Sequence, residues 1–67
     1  MDWVTFEVAG GGLVTAQPRH VVAIYDELGA VKLATTAGGV HVLKDMTVQR
    51  AVALVSRAAE AEAARSH

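Results

Sequence analysis

The chain has 67 residues, 52% of them apolar, with no cysteine and a formal net charge of −1. That apolar share exceeds what a disordered chain carries, so the chain should fold, yet its length excludes a second domain, a dinucleotide-binding unit and most catalytic architectures. The lack of cysteine excludes disulfides and thiolate metal sites, and the near-neutral charge gives no overall field toward nucleic acid or an anionic membrane.

From Trp3 to Val8 the chain alternates, with Val4, Phe6 and Val8 on one face and Trp3, Thr5 and Glu7 on the other, the period of a half-buried strand. Gly10, Gly11 and Gly12 break it with the positive φ that a tight reversal needs, and Leu13 to Ala16 returns as a second strand, ended by Gln17-Pro18. A third strand over His20 to Asp26 places Val22 and Ile24 on one face and Val21, Ala23 and Tyr25 on the other. Glu27, Leu28 and Gly29 form a turn. Ala30 to Thr36 alternates again, Val31, Leu33 and Thr35 against Lys32, Ala34 and Thr36, and Ala37-Gly38-Gly39 reverses the chain into a short strand over Val40 to Lys44. Val40 and Val42 there lie opposite His41 and Leu43.

Helix begins after Lys44. Thr47 and Asp45 can each cap it, and Thr47 is preferred because Val48 then opens the stripe Val48, Ala51, Val52, Val55, Ala58 and Ala59 at helical spacing. Beyond Ser56 only alanine supplies apolar side chains, so the last two turns are expected to project into solvent or lie against another subunit. The expected fold is α+β: one domain over residues 1–67, with an antiparallel sheet of four or five strands within 3–44 and one C-terminal helix, about 47–65, packed on it.

The chemistry-bearing residues form no recognisable catalytic set. Gly10–Gly12 and Gly38-Gly39 lead into strands, whereas a phosphate-binding loop leads into a helix N-terminus. His20 and His41 fall on separate strands, His67 ends the chain, and no acid stands at ligand-like spacing, so neither a metal nor a cofactor is expected. Ser56, Ser66 and the threonines lack an adjacent base and orienting acid, and no enzymatic activity is expected. Of the 35 apolar residues 24 are Ala or Val, which makes a thin core, and such small chains commonly gain stability by assembling. Self-association and an unidentified protein partner are therefore expected, with Trp3, Tyr25, Val21 and Ala23 as contact residues. The alternative is an oligomeric RNA-binding regulator that uses Arg19, His20, Lys32, Lys44 and Arg50 along one sheet edge. No apolar run is long enough to span a membrane, Asp2 stands where a signal peptide would carry a basic residue, and a cytoplasmic location is expected.

Val4-Thr5-Phe6, a glycine turn, Val14 leading to Pro18, His20-Val21-Val22-Ala23-Ile24, Val31-Lys32-Leu33-Ala34-Thr35-Thr36, Gly38-Gly39, and Val42-Leu43-Lys44-Asp45-Met46-Thr47-Val48 running into a helix follow each other in an order that resembles the small flagellar proteins of the FlbD/SwrD type. The resemblance extends over residues 4–56. This chain has Ala37-Gly38-Gly39 where that family commonly has Asn-Gly, and its helix ends rich in alanine. The resemblance implies a small accessory or regulatory protein, with no catalytic residues to carry over.

Overall fold

The computed structural model describes residues 2–65. Five strands and one helix follow in order: β1 (Val4–Glu7), β2 (Leu13–Ala16), a single 3-10 turn (Pro18–His20), β3 (Val21–Glu27), β4 (Ala30–Thr35), β5 (Val40–Leu43) and α1 (Val48–Arg65). This is the small α+β arrangement that the alternation and the capped helix predict. The strands do not form one sheet, however. β1 and β2 make an antiparallel pair, β3, β4 and β5 make an antiparallel meander, and an isolated bridge between Val8 and Leu43 joins the two. At that joint the Ala9 N–H donates to Val42 O and the Lys44 N–H donates to Glu7 O, each at 2.9 Å.

The core lies between the inner faces of the two sheets and α1. Val4, Phe6, Val31, Leu33, Leu43 and Ala51 are its buried members, with Val14, Val21, Ile24, Met46, Val48, Leu54, Val55 and Ala58 packed around them. Two expectations about faces are corrected here. Register shifts between Val21 and Ala23, so Val21 pairs with Thr35 while Ala23 pairs with Ala34. The extra residue of such a bulge turns the side chains beyond it over, which sends Val21 and Ile24 to the core and Ala23 and Tyr25 to the outer face. On α1, Leu54 packs inward while Val52 is left exposed, so the stripe centred on Ala51, Val55 and Ala58 is flanked by Leu54 instead of Val52.

Thr47 caps the helix, its hydroxyl accepting the Arg50 N–H at 3.1 Å, as its position before the apolar stripe predicts. Asp45, the other candidate, sits in the connection with φ of 49°. A Thr47→Ala variant should lose about 1 kcal/mol of stability in urea titration, because an amide of the first turn then has no acceptor. The last two turns of α1 are largely exposed, as their alanine-rich composition predicts. Arg65 Nη2 lies 2.5 Å from Asp2 Oδ2, so the helix end returns to the start of the chain. No aligned hydrogen bond reaches that oxygen, which makes the contact ionic and, with Arg65 half exposed, worth little.

The β3–β4 turn holds a leucine in the left-handed region. Glu27 pairs with Ala30, and the two loop residues both have positive φ, 53° at Leu28 and 81° at Gly29, the pattern of a type I′ hairpin. Such turns favour asparagine at the first position, yet leucine occupies it, fully exposed. Replacing Leu28 with Asn should therefore raise stability by about 0.5–1 kcal/mol, and raise the melting temperature by several degrees, since strain is relieved and no buried area is lost.

Candidate functional site

The larger cavity opens where β2 faces the ends of the meander. It has a volume of about 440 Å³ and is lined by Val14, Thr15 and Ala16 of β2, by His20, and by Thr35, Thr36, Ala37 and His41. The His20 carbonyl accepts the Thr36 N–H at 2.8 Å, and His20 Nδ1 shares a hydrogen bond with Thr36 Oγ1 at 3.0 Å, so the 3-10 turn is clamped to the end of β4 at two points. That clamp fixes the His20 ring. His41 lies on the inner side of β5 beside Gly39, where a Cβ would come within 3.3 Å of its Nε2. Glycine there leaves the ring its place.

The topology thus brings together two histidines that lie twenty-one positions apart in the sequence. Their pocket is walled by aliphatic groups, hydroxyls and imidazoles, and neither a carboxylate nor a Lys or Arg is among its lining residues. Among the described residues no group of three or more His, Cys, Asp or Glu side chains could hold a metal ion. Ser66 and His67 lie outside the described residues.

The RNA-contact candidates are dispersed. Arg19 donates from Nε to Gln17 Oε1 at 3.0 Å on the 3-10 turn, next to His20. Lys32 lies on β4, the central strand of the meander, and pairs with Glu27 at 2.5 Å. The hydrogen bond that Lys32 donates to the Glu27 carboxylate, opposed by desolvation and aided by the charges of Glu27 and Tyr25, holds the Lys32 ammonium above its ordinary value of 10.5. A raised lysine value means that the pairing is complete below 10.5 and is lost as pH rises through the folded-state value. Lys44 and Arg50 line a second hollow of about 340 Å³ with Glu7 and Asp45, two cations balanced by two acids. The five residues therefore do not share one sheet edge.

Of the expected contact residues, Trp3 is 55% exposed, Ala23 and Tyr25 lie on the outer face of the meander, and Val21 packs against the core. Register places Ala34 beside Ala23 and Val40, and Lys32 between Tyr25 and Val42, on the same outer face. Val40 is 53% exposed and Val42 37%, and Val22, at the bulge, 62%. Val40 and Val42, set opposite His41 and Leu43 by alternation, are exposed residues that the pattern alone does not single out as contacts. The signal was present, because Leu43 belongs to the core and alternation then turns both valines outward.

No helix among the described residues is long and apolar enough to cross a membrane. No protein-family model, curated protein or solved structure matches this chain.

Proposed function

We propose that this chain is a small, non-enzymatic accessory or regulatory protein of the cytoplasm, which acts through protein–protein interaction and assembles as a homo-oligomer. The observation that carries this reading is the outer face of the β3–β4–β5 meander. Val40, Val42, Ala34, Ala23 and Tyr25 form its centre, α1 leaves it uncovered, and the Lys32–Glu27 pair is the charged feature on it. An interface of ordinary size takes ~800 Å² from each partner, about a fifth of this chain's 4411 Å². The centre of the face is mainly apolar, and aliphatic side chains that a monomer would leave wet gain by meeting a second copy. The similarity in element order to the FlbD/SwrD-type proteins supports an accessory role and supplies no partner. Light scattering coupled to size exclusion tests the reading: it predicts a particle heavier than one 7.0 kDa chain, and a monomer at all concentrations would refute self-association.

A further inference from the structure

β2 has one strand neighbour, β1, so its second edge is unpaired among the described residues. Which of its backbone groups point off that edge follows from the ladder. The Val8 N–H donates to Gly12 O at 3.2 Å, which makes Val8 and Gly12 a hydrogen-bonded pair. Along an antiparallel ladder such pairs alternate with non-bonded ones. Phe6–Val14 and Val4–Ala16 are then bonded pairs, while Thr5–Thr15 and Glu7–Leu13 are not. Thr5 Oγ1 and Thr15 Oγ1 lie 3.2 Å apart, as the closer side chains of a non-bonded pair should. The N–H and C=O of Thr15 therefore point away from β1.

Thr15 is also one of the residues that line the cavity of about 440 Å³. Successive side chains of a strand face opposite ways, yet three consecutive residues, Val14, Thr15 and Ala16, line this one hollow. Val14 and Ala16 reach it with side chains on the core side. Thr15, whose hydroxyl is engaged with Thr5 on the other face, borders it with its backbone edge. The other lining residues include His20 and His41, with their imidazoles, and Thr35 and Thr36, with their hydroxyls. All of these can donate or accept, and no lining residue is an acid, a lysine or an arginine.

We propose that this edge and cavity bind an extended, uncharged peptide segment of a partner protein by strand addition to β2. One partner residue pairs with Thr15 through its N–H and C=O, and the residues on either side of it, opposite Val14 and Ala16, turn their side chains into the cavity. Main-chain bonds hold the segment, while the cavity selects small or β-branched side chains that need no counter-charge. This names the partner chemistry for the interaction role proposed above and rests on that reading, but it uses a different surface from the one assigned to self-association.

The test uses the intact chain, labelled with nitrogen-15, and the capped peptide acetyl-Thr-Val-Thr-Val-Thr-amide. Saturable shifts are expected at the Thr15, His20 and His41 amides, together with slowed hydrogen exchange at Thr15. The same peptide N-methylated at its three threonines should bind at least ~10-fold more weakly, as should one with aspartate in place of both valines. Thr15→Pro removes an N–H that β1 does not use, which an edge strand tolerates, together with the hydroxyl that meets Thr5, and should weaken binding by the same factor, while Thr15→Ala, which removes the hydroxyl alone, should not. The N-methylated peptide serves on the unaltered chain if Thr15→Pro fails to fold. No saturable shift up to millimolar peptide, equal binding of the N-methylated peptide, or shifts centred on Val22, Val40 and Val42 would each overturn the proposal. So would a drop in particle mass for Thr15→Pro relative to Thr15→Ala, which would make the occupant a second copy. Failure of self-association itself is read separately, by light scattering on the unaltered chain.

Discussion

Replacing Leu33 with alanine should leave most of the chain unfolded at physiological temperature. Leu33 and Phe6 are the largest fully buried side chains, and Leu33 sits on the central strand of the meander, where it meets Ile24 of β3 and His41 of β5 in register. Truncating a buried leucine costs ~2–5 kcal/mol, the lost transfer energy plus the hole that stays behind. A chain of 67 residues has ~3–10 kcal/mol in total at 0.05–0.15 kcal/mol per residue. The loss is therefore comparable with the whole stability. The core around it is rich in valine and alanine, whose short side chains have little reach to fill the space. Circular dichroism during thermal unfolding should show Leu33→Ala melting far below the parent, or without a cooperative transition. A melting point within a few degrees of the parent would show that the core is held by something other than the packing around Leu33.

Changing Val40 to Lys and Val42 to Glu together should convert the assembled protein to monomer while leaving the fold intact. Both valines are more than a third exposed and turn away from the core, so the single chain should lose no more than about 0.5 kcal/mol. Val42 stands in register with Lys32, which makes glutamate there a compatible neighbour within one chain. Across an interface between copies the same changes remove two valines whose remaining exposed surface, 53% and 37%, is worth about 0.5–1.5 kcal/mol each when buried, and introduce charges that must be stripped of water. The dissociation constant should rise at least ~100-fold, which light scattering over a concentration series would record. A double variant that keeps its mass and its melting temperature would show that the outer face of the meander is not where copies meet.

Much of this architecture is legible in the sequence, for particular reasons. Alternation places Val4 and Phe6, and Val31 and Leu33, correctly as inward-facing, because a strand with one wet face must carry its polarity at period two. Thr47 announces the helix start because a hydroxyl before an apolar stripe satisfies an otherwise orphaned amide. The bulge at Val22 is not legible. A bulge inserts one residue without any change in composition, and it inverts exactly the distinction, Val21 against Ala23 and Tyr25, that a contact surface depends on. Leu54 displaces Val52 for a related reason, since both flank the stripe and only the angle at which α1 crosses the sheets decides between them. The candidate site is still less legible. His20 and His41 share a cavity only because β2 and the meander face each other across it, and the free edge at Thr15 consists of backbone atoms, which every residue has.

The single bridge at Val8 and Leu43 also has a consequence for how the chain assembles itself. Every other strand pairing is a hairpin between neighbours in sequence, whose short loops close quickly, whereas this joint connects positions thirty-five residues apart. Closing so long a segment costs entropy that two crossing hydrogen bonds cannot repay alone. Phe6 and Val4 from one side, and Leu33 and Leu43 from the other, have to come together at the same moment. The hairpins are thus expected to form fast and the two sheets to meet slowly, which would put the barrier to folding in the union of two halves that are each built locally.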